Sequence, residues 1–85
     1  MNITRKYYSH DKRDIVVHVD GLLNEQNRRR IEYTMLKATG IERAHFDTLR
    51  QHLLIIGYDP DMTSSSKILE YFRKQHIDAQ PIVGR

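Results

Sequence analysis

The spacing of hydrophobic residues changes several times along the chain, between the pattern of a strand and that of a helix. These changes predict six secondary-structure elements. Runs rich in β-branched residues indicate strands, whereas apolar residues spaced three and four apart indicate helices. Gly40 follows the first helical run and is suited to a left-handed C-cap, and Thr63–Ser66 offer several N-caps for a second helix. The predicted order is strand 14–20, helix 25–39, strand 41–47, strand 51–58, a helix ending near residue 75 and strand 78–83.

The order β-α-β-β-α-β defines the fold class. It predicts an α+β domain of ferredoxin-like topology, in which two helices cover one face of a four-stranded antiparallel sheet. Pro81 lacks a backbone donor, which favours an edge position for the last strand. Residues 1–12 show no periodic pattern and are predicted to be a basic, poorly ordered leader, which leaves 13–85 as the single domain.

Length and composition narrow the classes of function. The chain has 85 residues, of which 39% are hydrophobic, and this suits one small core with little room for a catalytic cleft. We therefore expect a protein that is not an enzyme. No apolar run approaches the roughly 18 residues that cross a bilayer, and no secretory signal is visible, so we expect a cytoplasmic domain. The absence of cysteine excludes disulfides and thiolate metal sites.

The chain is basic, with a net charge of +3, which raises the alternative of a nucleic-acid-binding module. Its most concentrated charge is Arg28–Arg30, within the first predicted helix. Three consecutive helical residues spread over most of the circumference and form no stripe that follows a phosphate backbone. The central predicted strands also lack the aromatic residues on which RNA-recognition modules stack bases. We therefore expect no specific nucleic-acid partner.

Several motifs beyond the leader match one known family. Residues 19–27 read Val-Asp-Gly-Leu-Leu-Asn-Glu-Gln-Asn, and residues 56–60 read Ile-Gly-Tyr-Asp-Pro. This pattern resembles the heavy-metal-associated domain of copper chaperones and of P-type metal-transporting ATPases, whose first strand ends in a Gly-Met-x-Cys-x-x-Cys loop. Here Gly21 and Leu22 hold the glycine and methionine positions, whereas Asn24 and Asn27 hold both cysteine positions. The resemblance implies a degenerate metal loop made of these four residues.

The two asparagines determine what this loop can bind. A soft ion such as Cu(I) prefers thiolate sulfur, whereas an asparagine amide offers a neutral, hard oxygen. We therefore expect no bound cofactor and no Cu(I) or Zn(II) transfer at the loop. Asn24 is instead predicted to cap the first helix, because asparagine is among the best N-cap residues.

Histidine ligands leave a second alternative open. His76 occupies a position where the family usually has glycine, in a loop that the resemblance places near the metal loop. With Asn24, Asn27 or the leader's His10, it would offer a site for a borderline ion such as Ni(II), Zn(II) or Co(II). No pair among the five histidines stands in a recognisable metal-binding spacing, so a solvated histidine is the expectation.

The third predicted strand is apolar on both faces. If Leu54 points to the helices, Leu53 and Ile55 point to the opposite face. Because a strand open to water on one face normally alternates apolar with polar residues, the run 53–56 predicts that something covers the second face. Candidate interface residues there are Val16, His18, His45, Leu53 and Ile55. We expect a second copy or a neighbouring domain to pack on them, with the leader as the competing cover and the histidines making the contact sensitive to mild acid.

Together these observations predict a non-catalytic docking or regulatory module linked to metal-ion transport or homeostasis. The expected partner is a protein, either a second copy of the chain or a domain of a metal transporter. No direct insertion of this segment into a membrane is expected. If the chain is part of a transporter, the resemblance places it at the cytoplasmic face of the membrane.

Overall fold

The predicted order of elements is confirmed by a computed structural model, which describes residues 13–82. The elements are β1 Arg13–Val19, α1 Glu25–Leu36, β2 Ile41–Phe46, β3 Leu53–Tyr58, α2 Ser65–Lys74 and β4 Ala79–Pro81. The four strands form one antiparallel sheet in the order β2-β3-β1-β4. The predicted leader lies outside the described residues.

The position of β4 follows from its sequence. Within the part of the chain that the structure describes, it pairs with β1 alone, through Val17 opposite Pro81 and Val19 opposite Ala79, and therefore lies at the edge of the sheet, as the proline predicts. The strand is shorter than expected, because only three residues join the ladder. Ile82 continues the contact after the strand, since its backbone N–H donates to the Val16 carbonyl at 2.9 Å.

The first helix ends earlier than its apolar pattern predicts. It stops at Leu36 instead of residue 39, because the amides of Lys37 and Ala38 bond three residues back, to Thr34 and Met35, and tighten the chain into a turn. Gly40 lies one turn later with φ +84°, in the left-handed region expected for it.

One hydrophobic core lies between the helices and one face of the sheet. Strand alternation points every second side chain of β1, β2 and β3 into it, while α1 contributes Met35 and α2 contributes Ile68 and Phe72. The buried core residues are Val17, Val19, Met35, Ala44, Phe46, Leu54, Ile56, Tyr58, Ile68 and Phe72. The second face of the sheet therefore has no helix packed on it among the described residues.

A carboxylate joins the first helix to the free edge of the sheet. Among residues 13–82, strand β2 pairs with β3 alone, and its Phe46 N–H donates to the Glu32 carboxylate of α1 at 2.7 Å. The half-buried glutamate thereby satisfies an edge donor that another strand would otherwise be able to pair with. Sequence reasoning did not reveal this contact, because it joins residues 14 positions apart.

Candidate functional site

The loop that follows β1 is organised around the start of α1. Gly21 has φ +111°, which only glycine adopts freely, and it turns the chain out of the strand. Leu22 is 96% exposed. Asn24 is the N-cap, and its side-chain oxygen accepts the Asn27 backbone N–H at 2.8 Å. The predicted capping role of Asn24 is therefore confirmed.

Asn27 is also engaged within the helix. Its side-chain oxygen accepts a hydrogen bond from the Arg30 guanidinium at 2.9 Å. Both residues at the cysteine positions of the family pattern thus use their amide oxygens in hydrogen bonds within the N-terminal part of α1, Asn24 to the backbone and Asn27 to a side chain. Neutral amide oxygens already bonded in this way do not fit a soft cation such as Cu(I).

The arginine cluster is divided among three local partners. Besides the contact of Arg30, Arg28 donates to the Leu23 carbonyl at 3.0 Å, and Arg29 pairs with Glu25 at 2.9 Å. The three guanidinium groups therefore form no common row along the helix. This arrangement agrees with a solvated helix face and gives no support to a nucleic-acid groove.

Three loops meet at this end of the sheet. The Val19 N–H donates to the His52 carbonyl at 2.8 Å, and the Asp20 N–H donates to the Asp78 carbonyl at 2.9 Å. These bonds tie the β1–α1 loop to the β2–β3 loop and to the α2–β4 loop. Leu49, in the β2–β3 loop, is 86% exposed and lies at the same end of the sheet as Leu22.

Asp47 shapes the loop that carries Leu49. Its carboxylate accepts the backbone N–H groups of Arg50 at 2.8 Å and Leu49 at 3.1 Å. The Arg50 hydrogen bond is the main cause that lowers the pKa of Asp47 below its usual value; desolvation opposes it, and the Leu49 hydrogen bond lowers the pKa further. The carboxylate thus remains charged to a lower pH than an ordinary aspartate.

His76 lies close to the degenerate loop, as the resemblance implies. It lines a cavity of about 500 Å³ together with Asn27, Arg30 and two acidic residues, Asp20 and Asp78. Asn24 does not line this cavity. Within residues 13–82 no group of three or more His, Asp or Glu side chains could hold a metal ion. His10, the other ligand considered for a borderline ion, lies outside the described residues.

The backbone of His76 is strained. It has φ +61°, in the left-handed region just beyond α2, where its N–H donates to the Arg73 carbonyl at 3.0 Å and the Ile77 N–H returns to the Phe72 carbonyl at 3.0 Å. This geometry is the helix C-terminal motif that glycine normally completes. It gives a physical reason for glycine at this position in the family pattern.

Replacing His76 with glycine is expected to stabilise the domain. The left-handed conformation costs a residue with a side chain about 1–2 kcal/mol, and the greater freedom of glycine in the unfolded chain removes part of that gain. We expect a net increase of about 0.5–1 kcal/mol in the free energy of unfolding in urea. His45→Gly in β2, where the backbone is extended, is the control and should destabilise. Equal effects of the two changes would contradict the assigned backbone conformation.

The candidate interface residues share the face opposite the helices, as expected. In the register of the sheet, Ile55 lies between Val16 on β1 and His45 on β2, and His18 lies opposite Leu53. Val16, Leu53 and Ile55 are half-buried. The residues predicted from the sequence therefore lie on two separate surfaces. One is the end of the sheet where the β1–α1 loop lies, and the other is the sheet face opposite the helices, which we call the open face.

A histidine pair at the border of the open face was not expected. The rings of His18 and His52 stack with centroids 5.4 Å apart and an angle of 11° between their planes. His18 Nδ1 lies 3.0 Å from an Asp20 carboxylate oxygen, and His52 Nδ1 lies 2.8 Å from the Val19 carbonyl oxygen. His52 precedes β3 in a turn, so only the pairing of β1 with β3 shows that the two rings are neighbours.

Comparisons with known proteins support the fold. No protein-family model and no curated protein sequence matches the chain. A copper binding domain from HMA7, a P-type ATPase, is similar with a TM-score of 0.72 at 21% identity, over 84% of this chain and 95% of that one. Oxidized MerP from Ralstonia metallidurans has a TM-score of 0.72 at 12% identity, over 85% and 99% of the two chains. A copper form of a CopA variant from Bacillus subtilis has a TM-score of 0.68 at 26% identity, over 87% and 95%.

These structures show the fold of the chain and the domains that it resembles. The chain has the ferredoxin-like fold, with a four-stranded antiparallel sheet and two helices. Within that fold it is similar to heavy-metal-associated domains, as its motifs predict, and its sequence contains no cysteine. Among the described residues, no helix is long and apolar enough to cross a membrane.

Proposed function

We propose that this chain is a non-catalytic protein-docking module linked to metal-ion transport or homeostasis, with the scaffold of a heavy-metal-associated domain but no Cu(I) or Zn(II) site. The observation that carries the proposal is the hydrogen bonding of the loop. The side-chain oxygens of Asn24 and Asn27, at the two cysteine positions, are already bonded to the Asn27 backbone N–H and the Arg30 guanidinium. A loop closed in this way offers a surface to a partner but no ligands to a soft ion.

The proposed docking surface is the loop end, defined by Leu22 and Leu49. Both aliphatic side chains are almost fully exposed, at 96% and 86%, on loops that backbone hydrogen bonds hold together through Val19 and Asp20. Exposed aliphatic residues on an ordered loop cluster are typical of interaction sites. The proposed partner is a domain of a metal transporter, and the proposed location is cytoplasmic.

A titration tests the docking. The isotope-labelled chain is mixed with each heavy-metal-associated domain of the P-type ATPases from the same organism, in the presence of a Cu(I) chelator. We expect one of them to shift the amide NMR signals of the loops around Leu22 and Leu49. Leu22→Ser with Leu49→Ser should weaken that binding about tenfold or more, because exposed aliphatic anchors dominate such contacts.

The matched control is Tyr33→Ser, which removes a 63% exposed side chain from the outer side of α1. It should leave the affinity unchanged. The proposal is wrong if none of those domains shifts the loop signals, or if the leucine substitutions weaken binding no more than the tyrosine substitution does.

A further inference from the structure

The cavity of about 500 Å³ beside His76 lies between α1, the end of α2 and the loop that leads into β4. Its apolar lining consists of Val19, Leu23, Ile31 and Ile77, which also pack in or against the hydrophobic core. Cavities of roughly 300–1,000 Å³ with an apolar lining and a few polar groups are the usual form of small-molecule sites. We call this cavity the His76 groove.

Charged groups of both signs border the groove. Arg30 reaches it from α1, whereas Asp20 and Asp78 reach it from the β1–α1 loop and the α2–β4 loop. The hydrogen bond of 2.9 Å from the Asp20 N–H to the Asp78 carbonyl keeps the two aspartates side by side. The groove therefore presents a cationic group on one element and anionic groups on two others.

Two of these charges have no partner of opposite sign within residues 13–82. The Asp78 carboxylate takes part in no hydrogen bond or ion pair there, whereas the Asp20 carboxylate lies 3.0 Å from His18 Nδ1. Arg30 donates to the Asn27 amide oxygen, which is a neutral acceptor. Since a guanidinium has five N–H donors, Arg30 keeps donors for a carboxylate.

The backbone of His76 indicates that its side chain has a role. Its φ of +61° lies in the left-handed region, which glycine adopts without strain. Residues held in such conformations cluster at functional sites, where the side chain itself is needed. The imidazole lines the groove and also a neighbouring cavity of about 520 Å³ between α2 and β4. A histidine at this position is explained if the ring contacts a ligand.

We propose that the His76 groove binds a small zwitterion with an aliphatic part, of the class of aliphatic amino acids and their dipeptides. The ligand ammonium pairs with Asp78, and its carboxylate accepts hydrogen bonds from the Arg30 guanidinium and the His76 imidazole. A guanidinium suits a carboxylate because its planar donors match the two oxygens. The aliphatic part covers Ile31 and Ile77. A ligand with a charge of one sign fits less well, because the groove presents both signs.

Titrations with L-leucine and with L-leucyl-L-leucine test the proposal. We expect saturable shifts of the amide NMR signals of residues 27–34 and 75–78, with a dissociation constant of about 1 mM or tighter for at least one of the two. N-acetyl-leucine lacks the ammonium and leucinamide lacks the carboxylate. Each should bind about tenfold or more weakly than leucine, because each loses one charge-assisted hydrogen bond.

Matched variants locate the contacts. Arg30→Gln and Asp78→Asn should each weaken binding about tenfold. Arg29→Gln and Asp61→Asn remove exposed charges that do not line the groove, and they should change affinity less than about twofold. His76→Gly should weaken binding about threefold or more while it raises stability in urea. A purely structural role of His76 would not give these opposite effects.

Three results would overturn the proposal. The first is the absence of saturable shifts with both leucine and the dipeptide. The second is equal affinity for leucine, N-acetyl-leucine and leucinamide, which would show that the charges are not recognised. The third is an equal loss of affinity in the groove variants and in their matched controls.

Discussion

Replacing Asn24 and Asn27 together with cysteine is expected to create a Cu(I) site. The change supplies two thiolates at the start of α1, where the Asn24 side-chain oxygen accepts the Asn27 backbone N–H at 2.8 Å. Soft Cu(I) strongly prefers such ligands to amide oxygens. We expect affinity to rise at least about a thousandfold, from weaker than micromolar to nanomolar or tighter, in competition with a Cu(I) chelator.

The controls distinguish ligand chemistry from changes in the loop. Either single cysteine variant should bind Cu(I) only weakly, because one thiolate leaves the ion without its second soft ligand. The double serine variant preserves the size of cysteine and the ability to cap the helix but not the sulfur, and it should stay inactive. A double cysteine variant that folds and still ignores Cu(I) would show that the loop differs from the family in conformation as well as in residue type.

Truncating Phe72 to alanine is expected to remove much of the stability of the domain. The ring is 1% exposed and is the largest fully buried side chain among the described residues. Phe→Ala changes in a core cost about 3–5 kcal/mol through lost burial and the remaining cavity. A domain of this size has roughly 5–10 kcal/mol in total. Urea unfolding should therefore show a much lower midpoint, with the slope unchanged.

Tyr33→Ala is the matched aromatic control. This ring is 63% exposed on α1 and has the Lys37 ammonium 4.6 Å from its centre. Its loss should cost about 1 kcal/mol or less, since an exposed cation–π contact is weak. A comparable loss for the two variants would contradict the burial of α2 against the sheet.

The fold was predictable because local signals agree with the tertiary structure. Alternation in β1 and β3 identified the buried face, Pro81 identified the edge strand, and Asn24 identified the N-terminus of α1. The end of α1 was not predictable from its apolar spacing. A Cβ atom added at Gly40 would lie within 3.1 Å of Met62 and Thr63, and the Gly40 carbonyl accepts the Asp59 N–H. Tertiary contacts therefore shape that turn.

The candidate sites could be predicted from the sequence only where all their residues are placed by a motif or by alternation along a strand. The degenerate loop and the five residues of the open face follow from motif and alternation. The pairing of His18 with His52 depends on the register between two strands, and the contact of Glu32 with Phe46 depends on how α1 crosses the sheet edge. The strained backbone of His76 is a consequence of how α2 ends, which its residue type alone does not reveal.

The central claim, a heavy-metal-associated scaffold without its metal site, is tested most directly on the natural chain. Cu(I) is titrated against a chelator of known affinity, and the loop amides of Leu22, Asn24 and Asn27 are followed by NMR in the same samples. The account predicts a dissociation constant weaker than micromolar and unshifted loop signals, as for an unrelated protein without cysteine. Saturable binding tighter than micromolar, with shifts at Asn24 and Asn27, would contradict it.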